Sequence, residues 1–542
     1  MRTLASSLFA LLSALLAMPA PAAAAALGAA GSCGDLAKLA LPHATITVAA
    51  SVAAGAFRPD DGDLATAHAI ALRSDLATAH AIALRSDAGE FTALPAFCRV
   101  AVTLKPTSDS DIKIEVWLPA ADWNGKFQAV GNGAFSGSIA YSAMARALAR
   151  GYAAASTDTG HAGNTASFAL GHPEKLIDFG WRAVHEMTVA SKLVVAAHFG
   201  APAKFSYWNG CSAGGRQAMV SAQRFPADFD GIIAGAPGLD WTGRAAQAVR
   251  VAQALDNDPA ARLLQPQRQL LHRAVVEACD ALDGVKDGLL ENPARCTFDP
   301  AVLQCQGASD TGCLSAPQVE TARLIYSGVK NPTTGREIAG LLPGSELGWS
   351  DTGWTASARA TGIDQFRFVA FADPSWTLQQ FNADTDIARA DDVGGPIVNA
   401  LDPNLRPFLD RGGKLIQYHG WSDPVISPLT SIQYYEKVAQ VVGHGAAQNR
   451  SMEATGEFFR LFMVPGMQHC QGGPGPNLFD RLNVLDTWVD RGRAPERIVA
   501  SHVTGGQVDR TRPLCAYPKQ ATYDGTGSTD DAANFTCSLP TP

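Results

Sequence analysis

Residues 205–225 read FSYWNGCSAGGRQAMVSAQRF, and this stretch decides the fold. Its first five residues have the apolar and aromatic character of a buried strand, and the segment from Gln217 onward has a helical pattern. Between them lies a G-x-S-x-G motif at 210–214. Between a strand and a helix this motif bends the chain sharply and exposes the serine hydroxyl, so Ser212 is a candidate nucleophile. Without that context the motif would be an ordinary glycine-rich helix start.

Strand and helix patterns alternate on both sides of the motif, as in a parallel α/β sheet. Strands are predicted at 99–104, 112–118, 127–130, 153–158, 205–209, 232–236, 414–419 and 459–464. Helices are predicted at 140–150, 181–199, 217–225, 430–441 and 478–491. The alternation stops between residues 239 and 390, where closely spaced cysteines and many Gly, Pro and Trp residues occur. We therefore predict one α/β core formed by residues 27–238 and 391–542, with an insertion at 239–390.

The N-terminus is typical of an export signal. Arg2 is followed by an apolar stretch at 4–18 and by small residues up to 26, so we predict a signal peptide at 1–26. The apolar stretch is shorter than the ~20 residues that span a bilayer, and no later segment is long enough. We expect a secreted or periplasmic protein whose mature chain has no membrane span.

The charge pattern argues against nucleic-acid binding. The chain has 43 basic and 51 acidic residues, a net charge of −8, and no cluster of Lys and Arg. Nonspecific nucleic-acid binders need such a cluster to displace counterions from phosphates. We therefore expect a small-molecule substrate as the partner, and no oligomeric state is predicted.

A short repeat lies near the N-terminus. Residues 63–74, DLATAHAIALRS, recur unchanged at 75–86. Repeat architectures need at least three units, usually longer than this one. We interpret the repeat as a tandem duplication in a surface segment that tolerates insertion.

Two further motifs follow the strands predicted after the insertion. YHGWSD at 418–423 places Asp423 after one strand, and PGMQHC at 465–470 places His469 after the next. The chain order Ser, Asp, His is that of the strand–turn–helix hydrolases. His469 could take the Ser212 proton and return it to a leaving alcohol, while Asp423 orients the imidazole. The alternatives are a turn-capping aspartate and a structural loop histidine.

Ten cysteines lie beyond the predicted signal, and an even number in an exported chain indicates disulfides. Spacing favours the pairs that are close in sequence, which are Cys279 with Cys296, Cys305 with Cys313, and Cys515 with Cys537. Cys211 and Cys470 flank the candidate serine and histidine. If those two side chains are in hydrogen-bond reach, their neighbours can be close enough for a disulfide that clamps nucleophile and base together.

An acidic loop, CDALDGVKDGL, occupies residues 279–289. Its three carboxylates and two glycines could wrap a hard cation, with main-chain carbonyls completing the oxygen shell. The spacing is not that of an EF-hand. The alternative is an acidic surface turn.

Taken together, the motifs resemble those of the tannase and feruloyl esterase family, which includes mono(2-hydroxyethyl) terephthalate hydrolases. The resemblance covers nearly all of the mature chain, and the paired Cys-Ser and His-Cys arrangement is its most specific part. The resemblance rests on these motifs: VGNG at 130–133, TDTGH at 157–161, RAVH at 182–185, GCSAGGR at 210–216, FRFVAFADPSW at 366–376, HGWSD at 419–423 and HC at 469–470.

The resemblance implies an α/β-hydrolase core with a large inserted lid domain. The implied activity is that of a serine esterase that cleaves aromatic, phenolic-acid esters such as feruloyl or galloyl esters through an acyl-enzyme. Ser212, Asp423 and His469 would form the catalytic triad. Oxyanion-hole donors would be the backbone N–H of Ala213 and that of Gly133, with Gly131 as the alternative to Gly133.

Disulfides and a metal ion are also implied by the resemblance. The implied disulfides are Cys211–Cys470, Cys33–Cys98, Cys279–Cys296, Cys305–Cys313 and Cys515–Cys537. A structural Ca²⁺ would bind Asp280, Asp283, Asp287 and the main-chain oxygens of Val285 and Leu289, with no organic cofactor.

Other activities are compatible with the same triad. They are a mono(2-hydroxyethyl) terephthalate-type hydrolase, a serine acyltransferase or peptidase, and an inactive binding protein. Arg359 or Arg367 could hold the free carboxylate of a terephthalate monoester. Aromatic residues of the insertion could stack on a substrate ring or simply form the lid core; they are Trp349, Trp354, Phe366, Phe371 and Trp376.

Overall fold

The computed structural model describes residues 31–59, 91–307, 312–331, 333–351, 354–443 and 448–540. The predicted signal peptide at 1–26 and the duplicated segment at 63–86 lie outside the described residues.

A nine-stranded mixed sheet forms the centre of the protein, in the order β1-β2-β3-β5-β4-β6-β7-β10-β11. The first four strands in this order pair antiparallel, and all pairs from β5 onward are parallel. The strands of the chain are β1 (Ala44–Val52), β2 (Phe97–Leu104), β3 (Ile112–Pro119), β4 (Lys126–Val130), β5 (Ala153–Thr157), β6 (Phe205–Cys211), β7 (Gly231–Gly235), β8 (Val329–Lys330), β9 (Glu337–Ile338), β10 (Lys414–Gly420), β11 (Phe459–Val464), β12 (Arg497–Thr504), β13 (Gln507–Cys515), β14 (Gln520–Tyr523) and β15 (Phe535–Ser538).

Helices connect the parallel strands and fill the segment between β7 and β10. The α-helices are α1 (Tyr141–Leu148), α2 (Pro173–Ile177), α3 (Ala183–Phe199), α4 (Ala213–Arg224), α5 (Trp241–Asn257), α6 (Gln265–Cys279), α7 (Ala316–Ser327), α8 (Ala356–Asp364), α9 (Ala383–Val393), α10 (Gly395–Val398), α11 (Arg406–Asp410), α12 (Leu429–Val442), α13 (Gln448–Gly456) and α14 (Arg481–Arg491).

The sheet strands predicted from the sequence agree with the structure to within two residues at each end. The edge strand β1 was missed because its sequence, ATITVAASV, contains small residues and is only half-buried. The hairpin of β12 and β13 was missed because β13 begins with a polar stretch, QVDRTR, whose first three residues are exposed. Both strands are held by pairing with a neighbour more than by their own apolar pattern.

The segment between β7 and β10 has hydrophobic cores of its own. One contains Trp349 and Trp354 with residues of α5, α6 and α7, and the other contains Phe366 and Trp376 with α5 and α9. Helix α5 contributes to both cores. The segment therefore packs around α5, which begins directly beside the sheet.

Register aligns the carboxyl ends of the strands that carry the predicted site. Cys211 of β6 pairs with Gly235 of β7, which pairs with Tyr418 of β10. At the end of β10, Gly420 pairs with Val464 of β11. Loops that follow parallel strands emerge at the same edge of a sheet, so the loops after β6, β10 and β11 lie side by side.

Candidate active site

Ser212 occupies a strained turn between β6 and α4. Its backbone has φ +63° and ψ −120°, a left-handed conformation that costs energy for a residue with a Cβ. Two glycines make the turn possible. A Cβ on Gly210 would lie 2.6 Å from the backbone of Gly214, and a Cβ on Gly214 would lie 3.1 Å from the Cα of Gly131. The motif therefore has the geometry of a nucleophile elbow.

A disulfide joins this turn to the loop after β11. Cys211 and Cys470 are bonded, with their Cα atoms 6.0 Å apart and 259 positions apart in the sequence. Cys470 also has a positive φ, +67°. The bond fixes the two backbones next to each other, so it holds Ser212 and His469 in neighbouring loops.

His469 is hydrogen-bonded to Asp423. The His469 Nδ1 and Asp423 Oδ2 atoms are 2.7 Å apart. Among the described residues, the Ser212 hydroxyl makes no hydrogen bond, and the serine–histidine contact that catalysis needs often forms only with substrate present. The structure thus brings the three predicted residues to one edge of the sheet and supplies the histidine–aspartate contact directly.

Asp423 is completely buried and fully hydrogen-bonded. Its Oδ1 accepts the backbone N–H groups of Val425, at 2.7 Å, and Ile426, at 3.0 Å. Burial alone would raise the pKa of Asp423, but the charge of His469 and the hydrogen bonds from His419 and His469 hold it well below the ordinary value of 3.8. This side chain therefore stays a carboxylate and can stabilise a charged imidazole.

His419 is a second histidine in contact with Asp423, and the sequence analysis did not assign it a role. Its Nε2 lies 3.1 Å from Asp423 Oδ2 and 3.1 Å from the carbonyl oxygen of Ile426, while its Nδ1 lies 2.7 Å from Ser431 Oγ. A carbonyl oxygen only accepts hydrogen bonds, so Nε2 carries the proton. The available signal was a histidine four residues before the acid in the quoted motif, YHGWSD.

The loop after β4 offers one unused backbone donor beside the elbow. The Gly131 N–H donates to Asn209 O, and the Asn132 N–H donates to the Gln217 side chain. Within the described residues the N–H of Gly133 has no acceptor, and that of Ala213 is unused because it belongs to the first turn of α4. These are the two donors predicted for the oxyanion hole. Gly133 is favoured over Gly131, because the N–H of Gly131 already donates to Asn209 O.

Hydrogen bonds with the TDTGH segment hold that loop in place. His161 Nε2 donates to Phe135 O at 2.8 Å, and Asn132 Nδ2 donates to Thr157 O at 2.8 Å. Ala134, next to Gly133, has a positive φ of +46°. The strained loop is therefore fixed from two sides, as a preorganised donor requires.

All ten cysteines form the five disulfides that were predicted, with Cα–Cα separations between 5.0 and 6.0 Å. Three of these bonds join cysteines no more than 22 positions apart. Spacing alone had favoured those three, the positions of Cys211 and Cys470 beside the candidate serine and histidine had indicated the fourth, and the resemblance implied Cys33–Cys98.

The lid residues considered for substrate binding are mostly held inside the lid. Trp349, Trp354, Phe366 and Trp376 are at most 3% exposed, so the lid-core interpretation is correct for them. Phe371 stacks on Trp376 with ring centroids 5.7 Å apart.

The two arginines proposed for a free carboxylate have partners of their own. Arg359 forms an ion pair with Asp256 at 2.8 Å. Arg367 Nε donates to Trp376 O at 2.9 Å. Arg359 therefore already has a carboxylate partner, whereas the Arg367 contact uses only Nε, and a substrate-binding role for either arginine stays a prediction.

The acidic loop after α6 folds back on itself. Asp280 Oδ2 accepts the Gly288 N–H, Asp283 Oδ1 accepts the Val285 N–H, and Asp287 is paired with Arg512. Among the described residues, no three His, Cys, Asp or Glu side chains form a ready-made metal group. One oxygen, Asp280 Oδ1, is nevertheless buried without a hydrogen bond.

Comparisons with known proteins identify the family. A family model described as tannase and feruloyl esterase matches residues 98–538. This chain belongs to the tannase and feruloyl esterase family. The esterase is 39% identical to an uncharacterised esterase of Xanthomonas campestris pv. campestris, over 93% of this chain and 90% of that protein. It is 35% identical to the mono(2-hydroxyethyl) terephthalate hydrolase of Piscinibacter sakaiensis, over 83% of this chain and 86% of that protein.

Solved structures agree with this assignment. The crystal structure of feruloyl esterase B from Aspergillus oryzae matches with a TM-score of 0.81 and 29% identity, covering 93% of this chain and 99% of that one. Tannin acyl hydrolase from Aspergillus niger shares the fold, with a TM-score of 0.70 and 24% identity over 82% of this chain and 86% of that one. The predicted α/β-hydrolase fold is confirmed, and the family makes the protein a carboxylic ester hydrolase.

Proposed function

We propose that this esterase is an exported serine hydrolase that cleaves aromatic carboxylic esters, such as feruloyl or galloyl esters, through an acyl-enzyme. One connected set of contacts carries the proposal. The strained Ser212 turn is joined through Cys211–Cys470 to the loop of His469, whose imidazole is hydrogen-bonded to the buried Asp423. A nucleophile, a base and an orienting acid in this connection are the parts that acyl transfer requires.

Each residue has a defined step in the proposed reaction. Ser212 Oγ attacks the ester carbonyl carbon while His469 Nε2 takes the hydroxyl proton, and Asp423 stabilises the resulting imidazolium. The N–H groups of Ala213 and Gly133 hold the tetrahedral oxyanion. When the C–O bond breaks, His469 gives the proton to the departing alcohol. A water molecule then attacks the acyl-enzyme in the same way, releasing the acid and restoring Ser212.

The aromatic substrate class rests on relatives. Besides the hydrolase of Piscinibacter sakaiensis, a probable feruloyl esterase B-2 of Aspergillus flavus is 34% identical over 74% of this chain and 80% of that protein. Terephthalate and ferulate are both aromatic acids, so the shared feature of these names is an aromatic acyl group.

Export is supported by the disulfides, which persist in oxidising compartments. Removal of residues 1–26 would give a secreted or periplasmic enzyme. Among the described helices, none has both the length and the apolarity needed to cross a membrane.

A structural Ca²⁺ in the 279–289 loop is part of the proposal. Burial raises the pKa of Asp283 to about 6, and burial together with the charge of Asp287 raises the pKa of Asp280. With the unpartnered Asp280 Oδ1, these shifts indicate concentrated negative charge, and Arg512 is the cation that forms an ion pair with it among the described residues. A hard cation held by Asp280, Asp283, Asp287 and the carbonyls of Val285 and Leu289 would neutralise it. The disulfide between Cys279 and Cys296 closes over this loop, which favours a structural role.

The test is the initial hydrolysis rate on methyl ferulate, methyl gallate and mono(2-hydroxyethyl) terephthalate, for the wild type and for Ser212→Ala. We expect turnover of at least one ester and a loss of about 10⁴-fold or more in the variant. Turnover that survives the substitution would contradict the serine mechanism. No turnover of any of the three would contradict the aromatic substrate class.

A further inference from the structure

Asn132 and Gln217 form a reciprocal hydrogen-bonded pair beside the proposed oxyanion hole. The Asn132 N–H donates to Gln217 Oε1 at 3.1 Å, and Gln217 Nε2 donates to Asn132 Oδ1 at 3.1 Å. Asn132 is 8% exposed and Gln217 is 1% exposed. Because the two bonds run in opposite directions between the same residues, a shift of either residue disturbs both bonds.

The surroundings fix the orientation of both side-chain amides. Asn132 Nδ2 donates to Thr157 O at 2.8 Å and to Ser138 O at 2.9 Å. Carbonyl oxygens only accept hydrogen bonds, so Nδ2 must face them and Oδ1 must face Gln217. Gln217 must in turn present Nε2 to Asn132 Oδ1 and Oε1 to the Asn132 N–H. Every side-chain oxygen and nitrogen of the pair therefore has a partner, as buried amides require.

The pair connects the two segments that carry the proposed oxyanion donors. Asn132 directly precedes Gly133, and Gln217 lies about one helical turn after Ala213 in α4. Helix α4 holds its own backbone through regular hydrogen bonds, whereas Gly133 belongs to no helix or strand. The distance between the two donor N–H groups therefore depends on contacts that join the loop to the helix.

The loop after β4 lies directly on the elbow. A Cβ on Gly131 would lie 2.5 Å from the Cα of Gly214 and 3.1 Å from Gln217 Oε1. On one side of the elbow the Gly131 N–H donates to Asn209 O at 3.2 Å, and on the other side Asn132 is bonded to Gln217. The elbow thus has a backbone contact with the loop at its centre and a hydrogen bond to the loop on each side.

We propose that the Asn132–Gln217 pair sets the spacing between the Gly133 and Ala213 N–H groups, which makes both members positioning residues for the oxyanion hole. The inference rests on the proposed function and deepens it. Gln217 is sealed inside the protein, so it acts through Asn132 and the loop. Negative charge develops on the carbonyl oxygen only in the transition state, so a displaced Gly133 should slow the reaction and leave substrate binding nearly unchanged.

Substitutions of Gln217 test the pair. Gln217→Met keeps the side-chain length and removes both hydrogen bonds, and Gln217→Glu keeps an acceptor for the Asn132 N–H while replacing the amide donor. Each is assayed on whichever of methyl ferulate, methyl gallate and mono(2-hydroxyethyl) terephthalate the wild type turns over fastest. Loss of a whole oxyanion donor costs about 10²–10³ in kcat, so displacement of one should lower the kcat of Gln217→Met by about 10- to 100-fold. KM should stay close to the wild-type value, and Gln217→Glu should change kcat in the same direction.

Benzeneboronic acid gives a readout that a general loss of stability would not change. Its boron accepts the Ser212 oxygen to form a tetrahedral adduct, and one boron-bound oxygen then occupies the position of the oxyanion. Such an analogue of the transition state depends on the donors more than the planar substrate does. Its Ki should therefore rise in Gln217→Met by about the factor by which kcat falls.

Gln223→Met is the matched control. Gln223 lies on the same helix, and its Nε2 donates to Ala400 O at 3.0 Å and to Tyr434 Oη at 2.8 Å instead of to the loop. This variant removes a glutamine from α4 without touching the pair. It should keep the wild-type kcat and the wild-type Ki for the boronic acid, whatever its Tm.

The outcomes separate the inference from the proposed function. Folded Gln217 variants with the wild-type kcat and Ki would overturn the inference and leave the proposed function standing. Equal losses of kcat in Gln217→Met and Gln223→Met would assign the pair a purely structural role and also overturn it. Wild-type turnover that is absent, or that persists in Ser212→Ala, would remove the proposed function itself and the inference with it.

Discussion

His419 Nε2 lies 3.1 Å from Asp423 Oδ2, the same oxygen that receives the hydrogen bond from His469. The carboxylate therefore joins two imidazoles, that of His469, which is 20% exposed, and that of His419, which is completely buried. His419 is itself fixed by Ser431 and by Ile426 O. We interpret it as a positioning residue, because it contacts the acid and is itself completely buried.

Loss of the His419 hydrogen bond should lower kcat. A hydrogen bond to a charged group contributes about 1.5–3 kcal/mol, so His419→Leu should reduce kcat by about 10- to 100-fold with little change in KM. His419→Gln, whose amide can donate from nearly the same place, should recover part of the rate. The check is steady-state kinetics on one ester across pH 6–9. A His419→Leu enzyme that folds and retains the wild-type kcat would contradict this role.

The Cys211–Cys470 disulfide should matter for catalysis and for stability. Replacing both cysteines with alanine frees the elbow from the histidine loop, so kcat should fall at temperatures where the variant is still folded. Loop-closure entropy sets an upper limit of about 5.6 kcal/mol on the stability lost with this 259-position loop.

Cys305→Ala with Cys313→Ala is the matched control for that variant. This disulfide spans only 8 positions within the lid, so its removal should cost about 2–3 kcal/mol at most and leave kcat unchanged. Rate measurements and denaturant unfolding on both double variants decide the question. Equal effects on kcat would show that the clamp has no special role.

The sequence predicted those parts of the site that local patterns encode. The G-x-S-x-G turn, with strands and helices around it, indicated Ser212 and the fold. The position of Asp423 and His469 after successive strands indicated their proximity, because the carboxyl ends of parallel strands meet. Edge strand β1 was missed because its pattern is weak and its pairing with β2 supplies the specificity.

Other features depend on contacts between distant segments and have no local signal. His419 is identifiable only once Ser431, Ile426 and Asp423 surround it. Arg359 is a second case, because only the packing of the lid brings Asp256 to its guanidinium. The expectation that Arg359 binds substrate was made without this tertiary information.

Removal of calcium should lower thermal stability more than it lowers kcat. Dialysis against EGTA should decrease Tm by several degrees, since a ligand that binds only the folded state stabilises it by RT ln(1 + [L]/Kd). Asp283→Asn should reproduce the lower Tm and no longer respond to EGTA. Asp299→Asn, an exposed lid acid paired with Arg323, is the matched control and should respond like the wild type. Metal analysis that finds no bound calcium in the purified enzyme would contradict the site.

The contribution of His185 to the free energy of unfolding should be larger at low pH than at high pH. Its Nδ1 lies 2.9 Å from Asp228 Oδ2, and its ring stacks on Phe225 at the end of the nucleophile helix α4. The hydrogen bond to Asp228 raises the pKa of His185 above its ordinary value of 6.5, although burial opposes the shift. Because the folded pKa is the higher one, the stabilisation is complete below pH 6.5 and is lost as pH rises through the folded pKa.

The free energy of unfolding of the wild type and of His185→Gln therefore should differ more at pH 6 than at pH 9. Urea unfolding at pH 6.0, 7.5 and 9.0 measures that difference. Both proteins carry Ser212→Ala, so that turnover has no effect on the measurement. Asp228→Asn should remove the pH dependence of the difference, because it leaves the imidazole without the carboxylate that favours its charged form. A difference that stays constant, or that grows with pH, would show that the His185–Asp228 pair does not stabilise the fold through charge.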